Sequence, residues 1–311
     1  MSILQLGVNI VVSSKFFHEI CNFIFTILLI MVSYQLISLV FFTSSVVQTL
    51  SSDYTKPAIS EEQVTFVSVD LDEYLSKYKI LNKPVYDKWT VYERRQNNLN
   101  TALPSLQHYY GEKVVYLTFD DGPDSENTPM VLDILNRNEV KATFFITGNQ
   151  AEKNPELLNR IYSEGHAIGN HSYNHVYRDL YKSTSSYLEQ LHRTDEIIKN
   201  IIGVRPRISR APGGSAGSFT KQYWDAIRQE GYIEVGWNVS SGDASHAKAE
   251  QIFNNISHQM DNKFLWSHAI ILMHDGRGHD ETVKALPNII KYFKDRNFEF
   301  RVVSLETPPP W

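Results

Sequence analysis

The chain lacks several features that would place it in common protein classes. It has one cysteine, Cys21, among 311 residues, so no internal disulfide can form. A protein that works outside the cell without disulfides fits a bacterial envelope better than a eukaryotic secretory route. No sustained run of Lys or Arg is present and the net charge is -5, which disfavours nucleic acid as a partner. No internal repeat or low-complexity tract is visible, so a solenoid is not expected.

Charge is also missing from residues 20–47. The densest apolar part, residues 21–42, is long enough to cross a membrane, which takes about 20 residues as a helix. It exceeds the apolar core of about 7–15 residues in a cleaved signal peptide, so an uncleaved signal anchor is preferred, although Ser44 and Ser45 leave cleavage open. Lys15 is the only positive charge before the span, which gives a weak signal for its orientation. The expected orientation therefore rests mainly on the chemistry of the residues that follow. The alternative is a buried helix of a soluble protein.

The sequence predicts four segments. Residues 1–19 are a short N-terminal segment, residues 20–47 the transmembrane anchor, residues 48–111 a stalk with a small appended element, and residues 112–311 the catalytic domain. After Glu112, short apolar runs alternate with stretches of helical spacing, which is typical of βα units around a parallel sheet or barrel. The number of runs predicts an α/β barrel with fewer than eight units. The predicted strands are 114–119, 142–146, 167–169, 233–237, 269–273 and 300–304, and the predicted helices are 128–136, 155–163, 185–202, 249–260 and 282–293.

Polar clusters follow several of these strands, where parallel α/β folds collect their working residues. Asp120 and Asp121 end the first strand, and two adjacent carboxylates favour a cation because both cannot stay ionised cheaply in one pocket. His171 and His175 are four residues apart, a spacing that lets two imidazoles on one helical turn bind one metal. An ordinary Asp-Asp-Gly turn and two unrelated surface histidines are the alternatives. Together, two histidines and one carboxylate leave coordination positions open for water and substrate.

Three further clusters supply charge and hydrogen-bond donors. Arg210 precedes the turn Gly213-Gly214, where an arginine can grip a carboxylate and a glycine N–H can approach an oxyanion. His274 ends an apolar strand as a candidate proton donor, and Asp243 can orient its ring. The alternatives are a glycine-rich surface loop and a capped core histidine. Trp237 is equally a candidate for the core and for a substrate wall.

Taken in order, five motifs resemble those of the carbohydrate esterase family 4 polysaccharide deacetylases, the NodB-homology domain. They are TFDDG at 118–122, HSYNH at 171–175, RAPGG at 210–214, the stretch that ends in Asp243, and ILMHD at 271–275. The resemblance covers about residues 112–305 and implies a distorted (β/α) barrel with fewer than eight units. The implied roles are general base for Asp120, metal ligand for Asp121, His171 and His175, general acid for His274, orientation of Asp120 for Arg210, tuning of His274 for Asp243, backbone oxyanion donor for Gly213, and substrate groove for Trp237 and Leu272.

The resemblance implies hydrolytic N-deacetylation of amino sugars, with zinc as the expected divalent ion. Family members often carry an aromatic residue where this chain has Gly213, and an Asp and a Trp where it has Ser240 and Ala244. These departures predict a differently shaped groove, for a smaller glycan or one with bulky substituents. The predicted anchor would hold the catalytic domain outside a bacterial cell membrane, and the expected substrate is therefore N-acetylglucosamine in peptidoglycan. The alternatives are a wall-attached polysaccharide or its linkage unit, exopolysaccharide, chitin or acetylated xylan, and, outside enzymes, a silent glycan-binding module or an envelope scaffold.

Overall fold

A computed structural model describes residues 68–77 and 82–310, all of which fall within one compact unit, residues 59–311. The predicted anchor at residues 20–47 lies outside the described residues. In the described part of the chain, none of the helices combines the length and the apolar character that a membrane span needs.

The central feature is a sheet of eight parallel strands that forms an incomplete, distorted barrel. The strands are β1 (Val69–Asp70), β2 (Val85–Asp87), β3 (Val114–Asp120), β4 (Thr143–Ile146), β5 (Ala167–Asn170), β6 (Arg205–Pro206), β7 (Ile208–Ser209), β8 (Ile233–Glu234), β9 (Val239–Ser240), β10 (Ala269–His274) and β11 (Glu299–Phe300). The order in the central sheet is β8-β7-β5-β4-β3-β10-β9, and β11 also pairs with β3. β3 is buried along its whole length, and its mostly apolar sequence fits a strand that is covered on both faces.

Helices pack around this sheet through apolar faces. The longest follows the side-chain cap of Ser183 and ends before Gly203, whose φ of 85° suits a left-handed helix end. The helices are α1 (Leu71–Lys77), α2 (Val91–Gln96), α3 (Asn127–Arg137), α4 (Gly148–Lys153), α5 (Pro155–Ser163), α6 (Tyr177–Leu180), α7 (Thr184–Ile202), α8 (Lys221–Gln229), α9 (Ala249–Gln259) and α10 (Asp280–Lys294). Short 3₁₀ segments occupy Asp243–Ser245 and Lys263–Ser267.

The segment before the barrel contributes to a second, smaller sheet with the order β1-β2-β6. β2 runs antiparallel to β6, which lies in the chain between α7 and β7. Residues from the predicted appended element therefore share a sheet with residues of the predicted catalytic domain. The division at residue 112 itself stays a prediction.

Two predicted strands end earlier in the structure than expected, for a physical reason in each case. The strand predicted at 233–237 ends at Glu234, because the carbonyls of Val235 and Gly236 accept hydrogen bonds from Arg210. The strand predicted at 300–304 ends at Phe300, because beyond it the N–H of Val303 donates to the Thr143 hydroxyl instead of to a backbone carbonyl. Among the described residues, six of the eight strands of this sheet are followed by a helix before the next strand, so the prediction of a distorted α/β barrel with fewer than eight units is confirmed.

Candidate active site

The strand order places four of the predicted polar residues along one edge of the sheet. His274 of β10 and Asp120 of β3 are register partners on neighbouring strands. His171 follows β5 and donates its N–H to the carbonyl of Ile146 in β4. Arg210 follows β7, and its N–H donates to the carbonyl of Asn170. Because all these strands are parallel, their carboxyl ends meet, and the residues that follow them converge.

The side chains of Asp121, His171 and His175 converge on one point. Oδ1 of Asp121 lies 3.6 Å from Nε2 of His171 and 3.5 Å from Nε2 of His175. That oxygen is shielded from solvent and has no hydrogen-bond partner among the described residues. A buried carboxylate oxygen without a partner destabilises the fold, and a bound cation would supply the missing partner of this atom.

The protonation of His171 also suits a metal ligand. Its Nδ1 lies 2.7 Å from the carbonyl oxygen of Arg210, so Nδ1 carries the proton and Nε2 keeps a free electron pair. Burial lowers the pKa of His171, which favours the neutral ring. Ligand bonds of about 2.0–2.2 Å in a tetrahedral zinc site put ligand atoms about 3.4 Å apart. The observed separations fit a divalent ion of that size.

The two histidines reach this arrangement without a helix, so the expectation of one helical turn was wrong. Residues 171–176 form an irregular loop, in which Ser172 and His175 have φ values of 66° and 57°. Asn170 holds the start of this loop: its Oδ1 accepts from the N–H of Ser172, and its Nδ2 donates to the carbonyl of Leu191. The backbone of Asp121 also adopts a left-handed conformation, with a φ of 77°. Such conformations cost energy and collect at ligand sites.

Asp120 and Arg210 form a buried ion pair beside the histidines. Nη1 of Arg210 donates to Oδ1 of Asp120 at 2.8 Å and to the Thr118 hydroxyl at 2.7 Å. The other carboxylate oxygen, Oδ2, lies 3.8 Å from Nε2 of His171. The guanidinium is completely buried and lies 4.1 Å from the centre of the Phe145 ring, so its position is fixed. Arg210 therefore orients Asp120 and leaves Oδ2 directed at the site.

Asp243 and His274 form a second charged pair. Oδ1 of Asp243 lies 2.9 Å from Nδ1 of His274, and Oδ2 accepts from the N–H of His274 and from the Thr282 hydroxyl. The Ser241 hydroxyl completes the four hydrogen bonds. Burial opposes the charge of His274, but the hydrogen bond and negative charge of Asp243 outweigh it and raise the pKa of His274 to about 9. Burial opposes ionisation of Asp243 too, yet its partners lower its pKa to about 2. The ring of His274 therefore keeps its proton at neutral pH, as a general acid requires.

The predicted oxyanion donor and groove residues lie close by. Gly213 is exposed with φ 73°, and its N–H has no hydrogen-bond acceptor within the described residues. The ring of Trp237 packs against Gly214, where an added Cβ would lie 2.9 Å from it. Both glycines and Trp237 line a cavity of about 910 Å³. Leu272 is half-buried on β10, two residues before His274 and therefore on the same face of the strand.

Several residues with a part in this geometry were not predicted. Thr118 lies inside the TFDDG motif, but only the structure shows its hydroxyl between Arg210 and the carbonyl of Ile271. Asp275 ends the ILMHD motif as a buried carboxyl group that packs against Gly122. The others are Asn170, Tyr177, Ser241, Thr282 and His279, whose ring stacks on His274. Of these residues, Thr118, Ser241 and Asp275 carried a sequence signal, which was their place within a motif.

Comparison with known proteins gives consistent matches. The family described as polysaccharide deacetylase matches residues 108–235. A peptidoglycan-N-acetylglucosamine deacetylase of Bacillus cereus is 37% identical over 194 residues, which are 61% of this chain and 67% of that protein. The peptidoglycan-N-acetylmuramic acid deacetylase PdaA of Bacillus subtilis is 29% identical over 216 residues, 66% of this chain and 77% of that protein. The solved structure of a CE4 esterase of Streptococcus mutans has a TM-score of 0.58 and 30% identity, and the match covers 69% of this chain and 91% of that one.

Proposed function

The chain belongs to the polysaccharide deacetylase family, whose members are hydrolases acting on amide bonds, and we propose that it removes N-acetyl groups from N-acetylglucosamine of peptidoglycan in a metal-dependent reaction. The observation that carries this proposal is the arrangement of the site. Asp120, a buried carboxylate paired with Arg210, ends β3, and His274, paired with Asp243, ends the neighbouring strand β10. Both lie beside the candidate metal ligands Asp121, His171 and His175.

A divalent ion held by Asp121, His171 and His175 would polarise the acetamide carbonyl and make water more acidic. One carboxylate and two imidazoles form a mixed oxygen and nitrogen donor set, which suits zinc. The unpartnered oxygen of Asp121 and the free Nε2 of His171 support this assignment.

The protein side chains move the protons. Asp120 accepts the proton of the attacking water through Oδ2, while Arg210 occupies Oδ1 and keeps the carboxylate in place. His274 donates a proton to the leaving sugar amine, and Asp243 holds Nδ1 of the ring so that Nε2 faces the substrate. The N–H of Gly213 donates to the carbonyl oxygen as negative charge develops on it.

The substrate proposal draws on the relatives, which include deacetylases of N-acetylglucosamine and of N-acetylmuramic acid in peptidoglycan. We further propose that residues 20–47 hold the enzyme on the outer face of a bacterial membrane, beside this substrate; the absence of charge in that segment supports the proposal. Membrane fractionation, followed by protease treatment of intact cells, tests the location. Release into the medium or protection from protease would contradict it.

Acetate release tests the activity. Purified protein is incubated with peptidoglycan or with a hexamer of N-acetylglucosamine, before and after chelation and again after zinc is restored. Release that stops with the chelator and returns with zinc supports the proposal, and mass analysis of digested peptidoglycan identifies the sugar that lost its acetyl group. No release from either substrate by folded, zinc-loaded protein would favour a silent glycan-binding module.

A further inference from the structure

An exposed tyrosine stands where the side chain missing from Gly213 would be. A Cβ placed on Gly213 would lie 2.8 Å from the hydroxyl oxygen of Tyr177 and 3.2 Å from its Cζ. Gly213 also has φ 73°, a conformation that other residues rarely adopt. The glycine therefore leaves room for the end of the Tyr177 side chain beside the expected oxyanion donor.

Tyr177 is held next to the candidate metal site. It begins α6, and its ring centre lies 5.3 Å from that of His175 and 6.1 Å from that of Tyr181. Tyr181, the residue after α6, donates its hydroxyl to the carbonyl of Pro212 at 2.6 Å, which ties the end of α6 to the loop carrying Gly213. Behind Tyr181 lie the rings of Tyr187 and Tyr223. The ring of Tyr177 therefore rests on a fixed aromatic cluster.

Despite these contacts, 53% of Tyr177 remains exposed to solvent. An exposed aromatic ring beside a catalytic centre offers a flat, apolar surface at low entropic cost, because the ring is already held in place. Sugar rings present an apolar face of C–H groups that suits such a surface. The bound N-acetylated sugar must come this close, because its carbonyl has to reach both the metal set and the N–H of Gly213.

We propose that the ring of Tyr177 is the wall on which the N-acetylated sugar stacks at the catalytic centre. Gly213 and Tyr177 then act as a pair, since the missing side chain on one loop makes room for the aromatic ring from α6. This inference rests on the proposed function, because it assumes that the ligand is an N-acetylated sugar.

Binding without turnover tests the inference separately from catalysis. The dissociation constant of the N-acetylglucosamine hexamer is measured by calorimetry on chelator-treated protein, and KM and kcat are measured on zinc-loaded protein. Tyr177→Ala should raise both the dissociation constant and KM about tenfold, with kcat changed by less than about threefold. Tyr177→Phe keeps the ring and should stay within about twofold of the parent protein.

Tyr92→Ala is the matched control, since Tyr92 is 66% exposed and lies on α2. It should change none of these constants. The inference is overturned if Tyr177→Ala leaves hexamer binding unchanged, if Tyr177→Phe is as damaging as Tyr177→Ala, or if Tyr177→Ala acts by losing zinc, measured as metal per chain. If the parent protein binds the hexamer but releases no acetate, the proposed reaction fails while the stacking inference stands or falls on the binding data.

Discussion

At the scale of the residue, a change at Asp120 tests proton transfer separately from metal binding, because Asp120 is the proposed base and is not one of the proposed ligands. Its Oδ1 is occupied by Arg210, and its Oδ2 is the atom directed at the site. Asp120→Asn keeps the shape and an acceptor for Arg210 but removes the base. We expect kcat to fall about 100- to 10,000-fold, with zinc content unchanged. Steady-state kinetics and metal analysis of the same preparation check this, and a rate near that of the parent would exclude Asp120 as the base.

We expect the pair Asp243 and His274 to set the upper pH limit of activity. The carboxylate raises the pKa of His274 to about 9, so the ring keeps its proton at neutral pH. Asp243→Asn removes that negative charge, while the charges of Asp120 and Asp121 remain. We expect the alkaline fall in kcat/KM to move to lower pH, toward the ordinary histidine pKa of about 6.5. A pH–rate profile with an unmoved alkaline limb would contradict the assignment of His274 as the acid.

The same pair contributes to folding stability in a defined pH range. Because the pKa of His274 is raised by folding, its stabilising effect is complete below about pH 6.5 and is lost as the pH rises through about 9. The lowered pKa of Asp243 acts in the opposite direction: its effect is present above about pH 4 and is lost as the pH falls through about 2. Both shifts describe one interaction, so their effects do not add.

At the scale of the element, the loop after β5 brings two imidazoles to one point. His175 is the more exposed of the two proposed ligands, with 31% of its side chain accessible, against 2% for His171. His175→Ala should lower zinc affinity by at least about 100-fold, since it removes a ligand itself and not an outer partner worth about 10- to 100-fold. Competition with a zinc-binding dye measures the affinity. His192→Ala, at a partly exposed histidine paired with Glu230, is the control, and equal affinity in the two variants would exclude His175 as a ligand.

The elements also show what sequence patterns can reveal. Buried runs such as Val114–Asp120 and amphipathic stretches such as Pro155–Ser163 were predictable, because burial dictates their residue types. α8 was not predicted, since only Tyr223 and Ile227 of its nine residues are buried. β7 and β9 have two residues each, too few for any periodicity. Motif order led to Asp120, His171 and His274. The contact between Tyr177 and Gly213 joins residues 36 positions apart and therefore leaves no local pattern in the sequence.

At the scale of the whole molecule, a buried ion cluster joins the segment before residue 100 to the barrel. Asp87 of β2 is fully buried and accepts hydrogen bonds from three arginines, Arg94, Arg205 and Arg207. Arg205 also donates to Asp195 of α7. Burial and the nearby charge of Arg205 lower the pKa of Arg207 to about 9, which reflects the crowding of cations. Asp87 therefore supplies the negative charge that these three buried arginines share.

Removal of Asp87 should therefore destabilise the whole fold. Asp87→Ala leaves buried arginines without their shared partner, and we expect the free energy of unfolding to fall by about 3–5 kcal/mol. Asp133→Ala is the matched control, because Asp133 is exposed and pairs with Arg160 at the surface, where the loss should be about 1 kcal/mol or less. Urea unfolding of the purified variants measures both values. A loss for Asp87→Ala no larger than the control would show that the ion cluster does not hold residues 82–100 to the barrel. The expected loss would tie the stability of the barrel that carries the active site to a segment outside the five motifs.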